Sequence, residues 1–517
     1  MSSANADETQ PLLSVGSSQN AFADLPSSNS SVTLLTQPEA GPPLSVNREG
    51  LVPLLKSLLV DSVPVTLSYV LQNSIQTVSV LIVGRLGPHE LSVAAFSFML
   101  ATIGWCVALG GTTALDTLGS QAFAGGDPKS LSVHFQRCLV LLWLLFIPVG
   151  FLWANLEPVL LLLGQQPDLS RDVQRFMTVL ILGAPGYIGF ESLKKYLQCQ
   201  GIMRASTVVL ILVSPVNLGL NVFFVHYTSL GFLGSPVAIS ATFTLCFLIL
   251  GTFTYFSPAH RANEAWITAN VATVFDLRSC VQCLSLAIPG ILMVGTEWAA
   301  FEIVALAAGH LGALPLAAQS VIMTADQVLN NIPFGIGVAA STRVGRLIGG
   351  QHAQGAKRAS HASALLSAIV GVVIMTTLLA CKNVFGYAIS EDRNVVQLVS
   401  KIMPLVASFQ ICDCLAGSCG GVLRGLGRQH LGAIFNLVAY YVLALPMGIA
   451  LAFLPQTQLG LQGLWIGQVV ALTIIALGEY AVVWLAIDWE REVQLSIERN
   501  EAEAKRLHLH EHADQFN

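Results

Sequence analysis

Long apolar runs separated by short polar gaps dominate this chain of 517 residues. A helix rises 1.5 Å per residue, so about 20 apolar residues cross a bilayer core of about 30 Å. Twelve runs reach that length. Six lie at approximately 54–82, 90–114, 136–156, 173–196, 206–226 and 232–256. Six more lie at approximately 281–308, 314–340, 361–381, 398–421, 432–454 and 462–487. The polar stretch 257–280 separates the two sets. The pattern predicts an all-α integral membrane protein of twelve transmembrane helices in two six-helix lobes, 49–256 and 281–487. A disordered tail over 1–48 precedes them, 257–280 links them, and a charged tail over 488–517 follows.

The two sets repeat each other. Gly84-Arg85-Leu86-Gly87, Leu91, Ala114, Thr117 and Gly125 recur at an offset of 225 as Gly309-His310-Leu311-Gly312, Leu316, Ala339, Thr342 and Gly350. An offset of 224 places Gln200-Gly201-Ile202-Met203-Arg204 on Arg424-Gly425-Leu426-Gly427-Arg428. An even number of spans per repeat inserts both copies the same way up, with the symmetry axis along the membrane normal. Two such pseudo-symmetric lobes around a cleft form the geometry of an alternating-access transporter.

Composition changes the picture by exclusion. Hydrophobic types make up 54% of the chain and charged types 11%, against about 25% charged in a soluble domain. Mean hydropathy is +0.66. So little charge cannot cover a soluble surface, which excludes a cytosolic enzyme and makes the lipid bilayer the chain's main partner. The net charge of −5 offers no basic surface for nucleic acid. Cys106, Cys138, Cys246, Cys412, Cys414 and Cys419 lie in apolar runs and act as small hydrophobes. Cys280-x-x-Cys283 lacks the second pair that zinc requires. No metal or cofactor is expected. Of 20 Lys and Arg in 51–487, 14 fall on the side of the N-terminus, Lys194, Lys195 and Arg424 counted among them, and 6 opposite. The positive-inside bias therefore predicts that both termini are cytosolic. Glu8-Thr9-Gln10-Pro11-Leu12-Leu13 has the form of an acidic dileucine sorting signal, which points to a vacuolar membrane, with the plasma membrane as the other location. His508, His510 and His512 alternate, so a helix would spread them around its circumference, as expected of a solvated tail.

Four motifs carry a family resemblance. Gly111-Thr112-Thr113-Ala114-Leu115-Asp116-Thr117-Leu118-Gly119-Ser120-Gln121-Ala122 resembles the second-helix signature of eukaryotic multidrug and toxin extrusion (MATE) transporters. Glu297-Trp298-Ala299-Ala300-Phe301-Glu302 resembles their seventh-helix signature, and Val338-Ala339-Ala340-Ser341-Thr342-Arg343-Val344-Gly345 the end of the eighth. Gly420-Gly421-Val422-Leu423-Arg424-Gly425-Leu426-Gly427-Arg428-Gln429 resembles the tenth helix and its loop. Gln72-Asn73-Ser74 and the Gly110–Gln121 run look most like the fungal branch. The resemblance implies a V-shaped exporter that moves an organic substrate out against an inward-moving ion, mostly a proton in eukaryotic relatives, without nucleotide or covalent catalysis.

Acids in lipid are costly, so Glu297, Glu302, Asp326 and Asp413 read as functional. Their repeat counterparts Gln72, Thr77, Ala101 and Gly189 carry no charge. Fold is shared by the halves and these acids are not, which assigns ion coupling to the second lobe. Counted along their helices, Glu297 and Asp326 lie about 18 Å deep, Asp413 about 20 Å, and Glu302 about 10 Å. Carboxyls gathered at one level in low dielectric cannot all ionise cheaply. The expected roles are Glu297 as main proton and cation contact, with Glu302, Asp413 and Asp326 in support. The first two match the acids of the seventh-helix signature. Glu297 and Glu302 are five residues apart, about 140° around a helix, so both cannot face the cleft squarely.

Tyr69, Gln72, Asn73, Trp298, Asn330, Asn331 and Tyr440 are candidate cleft-lining residues, the aromatics suited to cation–π contact. Pro64 and Pro289 are repeat equivalents in the first helix of each lobe and serve either as bending points or as packing kinks. The function expected is a proton-coupled antiporter that exports small organic cations and acts as a monomer. A sodium-coupled exporter and a flippase for lipid-linked precursors share the architecture. A flippase cleft would need Arg and Lys for phosphate, and the sequence shows almost no basic residues in mid-helix. A receptor or scaffold would have no use for the duplicated halves and their acids.

Overall fold

The computed structural model describes residues 50–515, with side chains through Leu507. The dileucine-like segment and the three C-terminal histidine side chains lie outside the described residues. Helices α1 (Leu51–Val83), α2 (Pro88–Gly111), α3 (Thr113–Ala124), α4 (Ser130–Ala154), α5 (Leu156–Leu162), α6 (Pro167–Leu180), α7 (Ala184–Cys199), α8 (Ala205–His226) and α9 (Gly234–Phe256) form the first half. Short α10 (Pro258–Ala262) and α11 (Val271–Val274) lead to the second half. That half holds α12 (Leu277–His310), α13 (Ala313–Leu329), α14 (Asn331–Gly349), α15 (Ala353–Cys381), α16 (Arg393–Leu426), α17 (Gln429–Asn436), α18 (Leu445–Phe453) and α19 (Leu461–Ala481). Helix α20 (Trp489–Gln515) ends the described chain.

Among the described residues, eleven helical stretches are long and apolar enough to cross a bilayer, several of them built from two helices in line, such as Pro88–Ala124 and Pro167–Cys199. The run read as a twelfth span, 314–340, is two helices joined at Asn330. Pro333 withholds the amide that would continue the ladder, and the Asn331 side chain donates instead to the carbonyls of Gln327 and Val328. Helix α12 begins four residues before the expected boundary because Asp276 caps it, accepting from the Ser279 amide at 2.9 Å.

Glycines let the halves approach. A Cβ on Gly110 of α2 would fall on the backbone of Gly290 and Ile291 in α12, and one on Gly335 of α14 would fall on Thr66 of α1. These two crossings are repeat equivalents at the offset of 225. A third contact sets Gly345 of α14 against Ser120 of α3. Those two residues are each other's repeat partners, so the pseudo-twofold axis passes between them.

The face that carries the start of α1 and helix α20 is closed by bonds between the halves. Thr117 Oγ1 donates to the Arg424 carbonyl, and Gln121 Nε2 to the Gly425 carbonyl at 2.9 Å. Gln429 Nε2 reaches the Thr113 carbonyl at 3.3 Å, and Arg343 donates to Ser57 near the start of α1. Helix α20 lies across this face, which corrects the expectation of a solvated tail. Trp489, Val493, Ser496, Glu492 and Glu503 are buried. Glu492 holds Arg428 at 2.9 Å, and Asn500 donates to the Gln121 carbonyl. Glu503 Oε1 accepts from Arg137 of α4 at 2.9 Å while its Oε2 accepts from Ser279 of α12 at 2.8 Å. One carboxylate thus ties α20 to both halves. Charged residues in 488–507 are therefore partly internal partners for basic groups, which composition alone could not reveal.

Burial by itself pushes the Glu503 carboxyl up, but His134 and Arg137 beside it, with the Ser279 hydrogen bond, hold it below the usual glutamate range. Its stabilisation is present above the unfolded value of about 4.3 and is lost as pH falls through the lower folded value. Replacing it, Glu503→Gln, leaves Arg137, 1% exposed, without its carboxylate, a loss of about 3 kcal/mol or more. Hydrogen–deuterium exchange over 489–507 is expected to rise in that variant at pH 7. Unchanged exchange would show that the apolar face alone holds the helix. For the crossings, Gly110→Ala should lower the melting temperature in detergent more than Gly335→Ala. Overpacking costs about 1–3 kcal/mol, and the obstruction at Gly110 is backbone, whereas at Gly335 the nearest atom is the movable Thr66 Oγ1. Equal shifts would contradict this account of the crossings.

Candidate functional site

A cavity of about 40 Å³ lies where α12, α13, α14, α16, α17 and α19 converge. It has room for a few water molecules. Met293, Val294, Glu297 and Trp298 of α12 line one wall, with Asn330, Pro333 and Phe334 at the α13–α14 break. Asp413, Ala416, Gly417 and Arg424 come from α16, Asn436 from α17, and Leu472, Ile475 and Glu479 from α19. Apolar helices bring these groups together because glycine opens space between them. Gly420 and Gly432 leave room for Met293 and for the Glu479 carboxylate, which a Cβ at either position would approach.

Glu297 and Asp413 both face this cavity, with Trp298 and Asn330 from the candidate lining set. Asp326 is buried, and Gln410 Nε2 donates to it at 3.0 Å. It is not among the lining residues. Glu302 is only half-buried and also lies off the cavity, as the 140° turn from Glu297 requires. Asn73 and Asn331 bond each other across the halves at 3.2 Å. Tyr440 is fully buried against Phe301 and is not among the cavity-lining residues. Pro64 and Pro289 both lie inside long helices. The Pro64 carbonyl accepts from Thr207 at 2.6 Å.

Two charged cavity residues were missed by sequence reasoning. Glu479 is 0% exposed, and neither of its oxygens meets a protein hydrogen-bond donor among the described residues. Its signal was present: a lone acid inside the apolar run 462–487. Arg424 was counted as a charge of the cytosolic loops but is 4% exposed and points inward. Its Nε lies 3.7 Å from Asp116 Oδ2 of α3, and its guanidinium lies over the Phe334 ring.

The first half also contains buried charge, which corrects the reading that intramembrane acids are confined to the second. Glu191 and Lys194, both in α7, form a fully buried pair at 2.7 Å. Gln72 Nε2 donates to Glu191 at 2.8 Å, and the Lys194 ammonium sits 3.9 Å from the Tyr69 ring centre. Gln72 and Tyr69 therefore serve this cluster and do not line the cavity. Tyr69 nevertheless touches the cavity wall through Phe334, edge to face at 4.8 Å. Lys195 donates to both oxygens of Asp116, at 2.9 and 3.1 Å. Lys194 and Lys195, read as cytosolic-face charges, are thus internal. Their positions three and four residues after Glu191 are the spacing that helical ion pairs use.

The family model described as MatE matches residues 64–223 and 289–450. An uncharacterised transporter of Schizosaccharomyces pombe is 38% identical over 446 residues, covering 86% of this chain and 81% of that one. Multidrug and toxin extrusion protein 2 of Mus musculus is 34% identical over 433 residues, covering 83% and 74%. Among solved structures, that of the eukaryotic MATE transporter AtDTX14 aligns with a TM-score of 0.81 at 28% identity, covering 87% of this chain and all of that one.

Removing one member of the buried Glu191–Lys194 pair leaves the other charged in an apolar interior, at about 3–5 kcal/mol. Glu191→Leu should therefore lower the melting temperature in detergent sharply. The double variant Glu191→Gln/Lys194→Met should recover most of the loss. A double variant as unstable as the single one would show that the pair contributes through packing alone.

Proposed function

The chain belongs to the MATE family of multi-pass membrane efflux transporters, and from that premise we propose that it exports small organic cations in exchange for protons. The observation that carries the reading is the cavity at the junction of the helices, where Glu297, Asp413 and Glu479 outnumber the single guanidinium of Arg424. Surplus carboxylate in a low-dielectric wall attracts a cation and repels an anion. The same carboxyls can take a proton when the cation leaves, which is the exchange an antiporter needs. Trp298 and Phe334 on the wall offer ring faces to a cation.

This lining also weighs against a lipid-linked-phosphate cargo, which would call for a basic cleft. Lys194 and Lys195 are buried, yet each is occupied by a carboxylate. The cavity has room for a few waters and not for an organic molecule, so the halves must separate to load it. Export then requires the closed face that carries the start of α1 and helix α20 to open toward the cytosol, the orientation that the basic residues favour. The transporter acts as a monomer, since each half completes the cleft for the other. The vacuolar and the plasma membrane are the two locations in view, and the substrate is released on the far side of whichever holds it.

Uptake of a labelled organic cation into proteoliposomes tests the proposal, with and without a pH gradient and with sodium exchanged for potassium. Uptake should follow the pH gradient and ignore the sodium exchange. Glu297→Gln should reduce gradient-driven uptake tenfold or more, since about 1.4 kcal/mol of lost cation binding already gives a factor of ten, while the variant still inserts in the membrane. Gradient-independent uptake by the unaltered protein would overturn proton coupling. A sodium requirement would replace the proton with Na+.

A further inference from the structure

Arg424 occupies a position that the export reading leaves unexplained. Its side chain is shared between two anionic stations. One is Asp116 of α3 in the first half, 3.7 Å from its Nε. The other is the cavity wall that it forms together with Glu297 of α12, Asp413 of its own helix and Glu479 of α19. Its Nε and Nη2 have no hydrogen-bond acceptor among the described residues, and Asp413 Oδ2 and both oxygens of Glu479 have no donor. The other charged or titratable neighbours of the two stations include Lys195 of α7, which holds Asp116, and Tyr69 of α1, which packs on Phe334 under the guanidinium. Around the cavity carboxylates they include Asp326 of α13, Tyr440, Cys106 of α2 and Cys419 of α16. The guanidinium therefore has one ion-pair partner in the first half and carboxylates within its own half that it does not yet satisfy.

We infer that Arg424 is a tethered counter-cation that moves between Asp116 and the cavity carboxylates, coupling the charge of the cavity to opening of the face that carries the start of α1 and helix α20. The inference rests on the export reading above and supplies its gating step. With Arg424 on Asp116, the halves are joined on that face, alongside the neighbouring bonds of Thr117 to the Arg424 carbonyl and Gln121 to the Gly425 carbonyl. Opening the face separates α3 from α16 and breaks the Arg424–Asp116 pair. The guanidinium then turns to the cavity carboxylates, which favours their ionised form and releases the bound protons toward the opened side. An entering organic cation replaces the guanidinium there and returns it to Asp116, closing the face behind the cargo. A bound cargo cation blocks reopening because the guanidinium's second station is taken. Protons do not block it, since a carboxyl loses its proton as the guanidinium arrives. Arg424 is thus a positioning and specificity residue, an internal competitor that an incoming cation must displace.

The test measures binding of radiolabelled tetraethylammonium to the purified full chain in detergent, from pH 5.5 to 8.5. This probe is a permanent cation, so any pH dependence belongs to the protein. Arg424→Gln removes the competitor and should tighten binding severalfold at pH 7.5, while proton-driven uptake in proteoliposomes falls to background. Asp116→Asn leaves the guanidinium only the cavity and should weaken binding severalfold. The double variant should bind like Arg424→Gln. Arg424→Lys keeps the charge and should retain part of the uptake and a near-normal affinity, which loss of structure would not allow. Monodisperse elution of each variant shows that it has folded. Should Arg424→Gln unfold, the weakening by Asp116→Asn decides the matter. Equal affinity and an equal pH profile in wild type, Arg424→Gln and Asp116→Asn would overturn the shuttle. If Glu297→Gln still abolishes binding in that case, the export reading stands alone. If Glu297→Gln binds the probe as wild type does, the export reading itself fails.

Discussion

A charge buried in an apolar interior must find an opposite charge, and that requirement organises this protein at its centre. Asp116 is 0% exposed and lies between Lys195 of its own half and Arg424 of the other. Both cations are themselves buried, and a buried charge without an opposite partner is costly. The same electrostatic demand places Glu191 beside Lys194 and Glu503 beside Arg137. The Asp116–Arg424 and Glu503–Arg137 pairs join segments far apart in the chain, whereas Glu191–Lys194 lies within one helix and packs against Tyr69.

Close approach of the helices makes these pairings possible. Small residues matter here because lipid offers no hydrophobic drive for helices to associate, so tight packing supplies it. The equivalent crossings at Gly110 and Gly335, and the self-paired contact of Ser120 with Gly345, set the two halves around one axis. The symmetry is one of backbone and not of charge. The second half places three carboxyls and a guanidinium on a cavity. The first fills its interior with the Gln72–Glu191–Lys194 cluster, in which acid and ammonium pair one to one. A duplicated scaffold thus carries surplus carboxylate on one side and a matched ion pair on the other.

Much of this was legible from residues in order. Apolar runs gave the spans, the offset of 225 gave the repeat, and lone acids in apolar helices picked out Glu297 and Asp413, which the structure places on one cavity. Helical geometry also foretold that Glu302 would turn away from Glu297. Counting basic residues by loop was less secure. Lys194, Lys195 and Arg424 lie at helix ends in sequence, where a snorkelling side chain and a buried one look alike. Glu479, a lone acid in the run 462–487, escaped because no motif surrounds it and its cavity neighbours stand on other helices. Residues 488–507 read as solvated because charge usually faces water, yet Arg137 and Arg428 recruit two of their acids inward.

The sequence by itself determined where the chain enters lipid, that it does so twice over in parallel copies, and which family of membrane transporters it belongs to. Those properties follow from the period and spacing of apolar residues and from local motifs, all short-range along the chain. Tertiary structure alone decided which charges meet. Burial and pairing depend on distances between helices that sequence separation does not encode, as the 308 positions between Asp116 and Arg424 illustrate. Only in the folded protein does a basic residue assigned to a loop become the guanidinium shared between the two halves.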